Sequence, residues 1–580
     1  MRLLNSATLA LEEFPGATPE YAILSHRWLD GEVSLKDMQD GKATAKAGYT
    51  KIKQCCEQAS KDGLKYAWVD TCCIDKSSSA ELNEAINSMY RWYQEAKVCY
   101  AYLSDVSTSD LASDDTSFRA SAWFTRGWTL QELTAPAIVE FYNASWQKIG
   151  TKEDLKGILC DITNIDIAML EGGDPDDFSV AKRMSWASMR TTTRPEDRAY
   201  SLLGLFGVNM PMLYGEGDRA FVRLQEEIMK HSDDQSIFAW KRDGTSKWRA
   251  GLLAKSPSEF KECSNVVRAT VPWSRSPYSV SNKGLSIEWP MVPWAMETYL
   301  VALDCQFENE PNSRIGIYLQ LLEEESQFSR VPLDGKDSRI FPSKYVDRVI
   351  YKTLYVRQKD RPAPAVDRLY GFWIRTLPTP ISTEDVEGNG RRASRVNALM
   401  PWSDEDRILR MPTGSRGTAG SIWYNRGENK STPLKLGFDL DFNPICQWGG
   451  RISSPVKPPL YPGTREAELH PSWMDAPSTT EWMHRGNRLK QYNGISGVRT
   501  RILMTDQIVN GTRMWVVDIV DMDGRPYHST AICDGCNNHI FGVRYKCRDC
   551  ADFDYCDVCH GRSGQTHPGH EFEAIETPLS

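Results

Sequence analysis

Near the C-terminal end the sequence places a ligand pair four times: CDGC (533 to 536), CRDC (547 to 550), CDVC (556 to 559) and HPGH (567 to 570). Thiolate sulfur and imidazole nitrogen are zinc donors, and each C-x-x-C presents two thiolates to one ion, so the four pairs fit two tetrahedral zinc sites. Both sites would be coordinatively closed, which makes them structural rather than catalytic. About fifty residues bury little core, so metal binding would supply the folding free energy of this segment. His539 and His560 are left over and are expected at the surface.

A second candidate is a single carboxylate. RGWTLQELTAP (126 to 136) reads as a short helix entered from a Gly and stopped by a Pro, with Leu130 and Leu133 on its buried side and Glu132 between them. Glu132 is then either an ordinary solvated helix residue or a group used for chemistry.

The surrounding elements decide what could lie near it. YAIL (21 to 24), LKYAWVD (64 to 70), VCYAYL (98 to 103) and AIVEFY (137 to 142) read as strands. Between them lie helical patterns: one spans 49 to 61, and another carries Leu82, Ala85, Ile86, Met89, Tyr90 and Tyr93 at helical spacing. Strands separated by helices predict a parallel sheet with right-handed crossovers, whose ligands bind beyond the carboxyl ends of the strands. Ser25, His26, Arg27 and Trp28 follow the first strand, Asp70 and Thr71 the second, Ser104 and Asp105 the third. No G-x-x-x-x-G-K-[ST] loop, G-x-G-x-x-G turn or G-x-S-x-G elbow competes with them in this region.

From about 150 to 240 the pattern is helical, including a helix begun by Pro195 in PEDRAYSLLGLFGV and another in DRAFVRLQEEIMKH. Runs such as YLVALDCQF, RIGIYLQLL, RVIYKTLYV and MWVVDIV then predict a β-rich domain over 241 to 525, with long loops at 382 to 419 and 452 to 490. The expected domains are therefore 1 to 240, 241 to 525 and 526 to 580.

Composition bounds the class. The 580 residues carry 69 Lys or Arg against 77 Asp or Glu, and this acidic balance gives no basic surface for nucleic acid. No uninterrupted apolar run approaches the roughly 18 residues of a membrane span. Nine of 15 cysteines are scattered through the first 450 residues, including the pairs Cys55/Cys56 and Cys72/Cys73, which reads as reduced thiols rather than a secreted disulfide framework. The expectation is a soluble cytoplasmic protein, with the nucleus left open.

MRLLN at the start, YAILSHRW (21 to 28), WVDTCCIDK (68 to 76), RGWTLQEL (126 to 133) and PEDRAYSLLGLFGVNMPMLYGEG (195 to 217) together resemble the heterokaryon-incompatibility (HET) domain of filamentous fungi. That family is associated with non-self recognition and programmed cell death, and it is distantly similar to TIR domains. The resemblance implies an α/β fold: a flavodoxin-like, TIR-like parallel sheet domain with appended helices, followed here by the β-rich domain and a small two-zinc cross-brace finger. Many TIR domains carry W-C-x-x-E-L, whose glutamate is needed to cleave NAD, and W-T-L-Q-E-L puts Trp128 and Glu132 at the same spacing with Thr129 in place of the usual Cys. A carboxylate beside the ribose could stabilise the oxocarbenium character that develops when nicotinamide leaves. NAD is thus a candidate substrate, with Arg27 available to its pyrophosphate and Trp28 or Trp128 to stack on a ring. TIR-like enzymes often act as homo-oligomers; the alternative function is a non-catalytic scaffold that self-associates.

The C-terminal ligand spacing resembles a ZZ-type zinc finger. By that resemblance Cys533, Cys536, Cys556 and Cys559 hold one zinc ion, and Cys547, Cys550, His567 and His570 the other. Residues 531 to 580 carry eight Asp or Glu against four Arg or Lys. ZZ fingers that bind protein N-termini grip the free amino group with acidic residues at positions matching Asp534, Asp552 and Asp554, so the expected partner is a protein or peptide N-terminus.

Overall fold

The computed structural model describes residues 1–242 except 112–114; 250–358 except 270–276, 296–297, 312, 323–326, 333–337 and 342–349; ten shorter runs between 370 and 521; and 525–577 except 536–538 and 562. The chain forms two compact units. One comprises Met1–Met291, Val301–Pro332 and Lys336–Arg361; the other comprises Val292–Leu300, Leu333–Gly335 and Pro362–Ser580. The first strands of the β-rich stretch thus share a unit with the N-terminal sheet.

That sheet has seven strands: β1 (Arg2–Asn5), β2 (Leu11–Glu13), β3 (Ala22–His26), β4 (Tyr66–Trp68), β5 (Val98–Tyr102), β6 (Val139–Tyr142) and β7 (Lys148–Thr151), in the spatial order β2-β1-β4-β3-β5-β6-β7. The four strands expected from the sequence, β4-β3-β5-β6, run parallel. The two N-terminal strands and β7 add antiparallel edges. All five residues of β3 are buried, as a strand covered on both faces by helices requires.

The crossovers hold α1 (Leu35–Gln39), α2 (Tyr49–Lys61), α3 (Asp70–Cys73), α4 (Ser79–Glu95), α5 (Thr116–Arg119) and α6 (Thr129–Thr134). Their apolar periodicity is realised in packing: α2 buries Ile52, Cys55, Cys56 and Ala59, and α4, capped by the Ser78 side chain, buries Ala85, Ile86, Met89 and Tyr93. After the sheet come α7 (Lys156–Thr163), α8 (Ile167–Leu170), α9 (Val180–Ala187), α10 (Asp197–Tyr200) and α11 (Arg219–His231).

The long helix expected from Pro195 is cut short. It becomes the four-residue α10 and a 3-10 turn at Gly204–Phe206, ended by Gly207 with φ of +62°. The physical reason is close packing against α4: a Cβ on Gly204 would stand 1.9 Å from the Tyr90 Cβ.

The second unit contains a six-stranded sheet, with Tyr370–Thr376, Thr512–Asp521, Arg499–Val509 and Asn487–Asn493 adjacent in that order, and a four-stranded one built from Arg395–Ala398, Gly417–Asn425, Ser431–Phe438 and Pro444–Trp448. The stretch 382 to 419, expected as a loop, therefore contributes strands. Its Ser, Asn and Gly residues imitate turn formers, but backbone pairing such as Val396 with Ile422 sets their conformation. Of 452 to 490, only the strand beginning at Asn487 lies within the described residues. Among the described residues no helix is long and apolar enough to cross a membrane.

Replacing Gly204 by Ala forces the added methyl into the Tyr90 side chain. We expect a loss of about 1 to 3 kcal/mol, as for other overpacked sites, read as a lower midpoint in urea unfolding of the full chain.

Candidate functional site

Every residue of α6 is buried, Glu132 included at 7% exposure, so this carboxyl is not a solvated helix residue. It faces the end of β3, where its Oε2 accepts from the Ser25 hydroxyl. The same hydroxyl oxygen accepts from Trp123 Nε1 at 2.9 Å. Burial pushes the Glu132 carboxyl up to about 7, against the opposing pull of the Ser25 hydrogen bond and the Arg126 charge.

The helix is held at both ends by cations, Arg190 half-buried and Lys152 buried. Arg190 Nη1 donates to the Arg126 carbonyl at 2.9 Å and to Thr129 Oγ1 at 2.8 Å, and Lys152 Nζ donates to the Pro136 carbonyl at 2.6 Å. Burial lowers both groups, to about 10 for Arg190 and about 8 for Lys152. Six residues make too short a helix to hold its own geometry in water, so these clamps, with the packing, position Glu132.

His26 closes β3 beside this carboxylate. It is 4% exposed, and neither ring nitrogen finds a hydrogen-bond partner among the described residues. Its Nε2 stands 3.7 Å from Asp70 Oδ1 and 3.9 Å from Glu32 Oε2. Burial pushes its imidazole down to about 3, reinforced by Lys51, Arg126 and Lys76 against the opposing charge of Asp70. His26 is therefore neutral at physiological pH and can offer one donor and one acceptor.

Trp28 is 44% exposed above it, and its indole Nε1 donates to Asp70 Oδ2 at 2.8 Å. Asp70, at the start of α3, stays ionised: burial raises its carboxyl, but His26, Lys76, Trp28 and Arg126 together lower it below the usual range. The structure thus brings Ser25, His26, Trp28, Asp70 and Glu132 to one edge of the sheet. Arg27 is ion-paired with Asp105 at 3.6 Å, and Trp128 is half-buried in a hydrogen bond with Asp197.

Four charged residues of the cluster escaped the sequence reading: Glu32, Lys51, Lys76 and Arg126. Lys51 pairs with Glu32 and donates to the Arg27 carbonyl at 3.3 Å. Arg126 influences Glu132, His26 and Asp70 alike, so it is central to the electrostatics of the site. The signal was present in R-G-W, where a cation directly precedes the glycine that opens α6.

The finger is assembled from Arg544–Cys547, Asp554–Cys556 and Phe572–Ile575, which form a three-stranded sheet, followed after the second strand by the helix Asp557–His560. The donors of Cys547, Cys550, His567 and His570 converge, with sulfur-to-nitrogen separations of 3.4 to 3.6 Å. A tetrahedral zinc with bonds of about 2.3 Å to sulfur and 2.05 Å to nitrogen has an edge of about 3.6 Å, so these four donors fit the ion without rearrangement. Phe553 stacks on His567 at 4.1 Å and fixes the ring.

Cys533, Cys556 and Cys559 form a second cluster, and Cys536 lies outside the described residues. The Cys556 amide donates to the Cys533 sulfur at 3.2 Å, and a Cβ on Gly535 would meet that of Cys559 at 2.9 Å, which is why the CDGC pair has glycine there. His560 is not simply spare: it stacks on Tyr545 at 3.7 Å.

The acidic trio needs one correction. Asp554 is 3% exposed, and both its carboxylate oxygens accept from Arg544 at 2.7 Å, so its charge is committed inside the finger and cannot grip a ligand. Asp534 is exposed and binds the Asp554 amide at 2.5 Å, while Asp552 is exposed.

Comparison with known proteins agrees with this geometry. Residues 21–120 match the family model described as "Heterokaryon incompatibility protein (HET)", residues 219–250 a "Domain of unknown function (DUF8212)", and residues 527–572 "Zinc finger, ZZ type". The chain thus carries a HET domain and a C-terminal ZZ-type zinc finger. It is 52% identical over 223 residues to "Vegetative incompatibility protein HET-E-1" of Podospora anserina, covering 37% of this chain and 16% of that protein. It is also 38% identical over 52 residues, 9% of this chain and 4% of the relative, to "E3 ubiquitin-protein ligase mind-bomb" of Drosophila melanogaster. A similar 52-residue match, 40% identical and again 9% of this chain, covers 1% of "E3 ubiquitin-protein ligase HERC2" of Mus musculus. The chain therefore spans a sixth or less of the length of these relatives.

Two outcomes test this description. With its folded value near 7 and an unfolded value of 4.5, Glu132 contributes stability that is complete below pH 4.5 and lost as pH rises through 7, about 3 kcal/mol in all. Urea unfolding at pH 5 and pH 8 should show that loss in the native chain and a smaller one in Glu132→Gln. In the finger, Asp554→Asn breaks a buried pair, and we expect about 3 kcal/mol of local destabilisation, read as release of zinc at lower chelator concentration.

Proposed function

We propose that the chain is an incompatibility-type effector of non-self recognition and programmed cell death, that its HET domain cleaves NAD with Glu132 as the essential carboxylate, and that its finger binds a protein partner. The parallel strand order supports a flavodoxin-like, TIR-like reading of the sheet: in chain order the parallel strands lie second, first, third, fourth. In such sheets the ligand crevice opens between the first and third strands, at their carboxyl ends. Ser25 lies at that end of its strand and meets Glu132, and this contact is the observation that carries the proposal.

Chemically the site suits departure of a neutral leaving group from a sugar. An ionised Glu132 in a low-dielectric edge stabilises positive charge on the ribose, Ser25 orients it, and Trp28 offers an aromatic face. A resting value near 7 leaves a large ionised fraction at neutral pH. The finger would hold two structural zinc ions and present Asp534 and Asp552 to an amino group or a basic peptide. The buried free thiols of the HET domain suit a cytoplasmic home.

A second reading is a scaffold that self-associates without turnover; the tight closure of Glu132 against Ser25 favours it. Nicotinamide release from NAD by the purified full chain separates the two. We expect turnover that falls by roughly 100- to 10,000-fold in Glu132→Gln, with toxicity lost in parallel. Equal turnover in both proteins would refute the catalytic assignment.

A further inference from the structure

Two cations beside the exposed Trp28 close no ion pair among the described residues. Lys76 Nζ stands 3.5 Å from the Trp28 ring centroid, and the Arg126 guanidinium carbon stands 5.8 Å from it. Among the described residues neither side chain donates a hydrogen bond or closes an ion pair, although other charged groups of the cluster are matched: Lys51 with Glu32, and Arg27 with Asp105.

Two like charges beside one indole repel each other, and Asp70, whose Oδ2 is held by that indole, answers both only through space, so a ligand anion contacting them directly would be favoured. In the same cluster His26, 3.7 Å from Asp70 and 4% exposed, has both ring nitrogens unpartnered, and the hydroxyl of Thr71, next to Asp70 in the chain, is also buried and unpartnered. Two carboxylates of the same cluster face His26, Asp70, which the Trp28 indole engages, and Glu32, which Lys51 engages. The two cations thus stand beside Trp28, while His26 and Thr71 keep unpartnered polar atoms and the two carboxylates already hold Trp28 and Lys51.

From this geometry we infer that Arg126 and Lys76, flanking Trp28, form a receptor for the pyrophosphate of a nucleotide diphosphate, with His26 and Thr71 hydrogen-bonding the bound ligand. Arg126 supplies a planar fork that matches one phosphoryl group, and Lys76 a mobile point charge for the other. Trp28 gives both a common wall. Arg27, the residue that the sequence offers for this role, is instead ion-paired with Asp105 at 3.6 Å. The inference deepens the NAD reading and rests on its placement of the ligand at this sheet edge, but it does not require turnover.

The test is calorimetric titration of the full chain with adenosine diphosphate and with adenosine. We expect the diphosphate to bind at least tenfold more tightly, that advantage to vanish in Arg126→Gln and in Lys76→Gln, and to persist in Arg27→Gln. Because the Arg126 side chain closes no hydrogen bond or ion pair among the described residues, we expect Arg126→Gln to keep the native fold, read by circular dichroism. If Arg126→Gln fails to fold, Lys76→Gln alone decides: an unchanged diphosphate advantage overturns the site. Equal weakening by all three variants, or equal affinity for adenosine and its diphosphate in the native chain, also overturns it. Diphosphate binding without NAD cleavage would retain the receptor and condemn only the hydrolysis.

Discussion

The carboxyl of Glu132 is taken out of water at the point where α6 meets the end of β3, and the Ser25 hydroxyl answers it there while accepting from Trp123. Leaving a buried carboxyl without a partner would cost several kcal/mol, so the surrounding elements are constrained to keep this contact. The parallel pairing of β3 with β5 sets where Ser25 ends up, and the Arg190 and Lys152 clamps set where α6 sits. Both clamps are cations whose burial is compensated by carbonyl oxygens rather than by carboxylates. They thereby leave the local negative charge to Glu132, Asp70 and Glu32, the groups that face the edge.

The finger answers a different constraint. Its hydrophobic cluster is small, built around Ala531, Ile540, Tyr555 and the cysteines themselves. Ligand geometry does the work that core burial does elsewhere, and Arg544 with Asp554 and the Phe553 stack on His567 orient the donors. A chelator should therefore act locally, and the sheet of the HET domain has its own core to rest on. Both conclusions follow from the separate packing of two compact units.

Much of this was legible in the sequence because the relevant periodicities are strong. The helix at 49 to 61 appears with those bounds, and the four parallel strands fall within two residues of their expected starts. The zinc donors were readable because C-x-x-C spacing fixes which atoms can meet. Less legible were features set by distant packing. Gly204 reads as one residue of a helical pattern, yet the Tyr90 ring ends that pattern. Asp554 reads as an acidic surface residue because nothing local announces that Arg544, ten positions earlier, will bury it. Nothing local marks Arg126 and Lys76, fifty positions apart in the chain, as neighbours; the fold brings both to one indole.

The central claim is that the buried carboxylate at this edge is the group on which NAD cleavage depends. The most direct measurement is the pH dependence of kcat/KM for nicotinamide release by the assembled full chain between pH 5 and 9. The account predicts a rate that climbs through a single ionisation near 7, set by the burial of Glu132. A rate that is level across that range, or that turns on near the ordinary carboxylate value of 4.5, would contradict it.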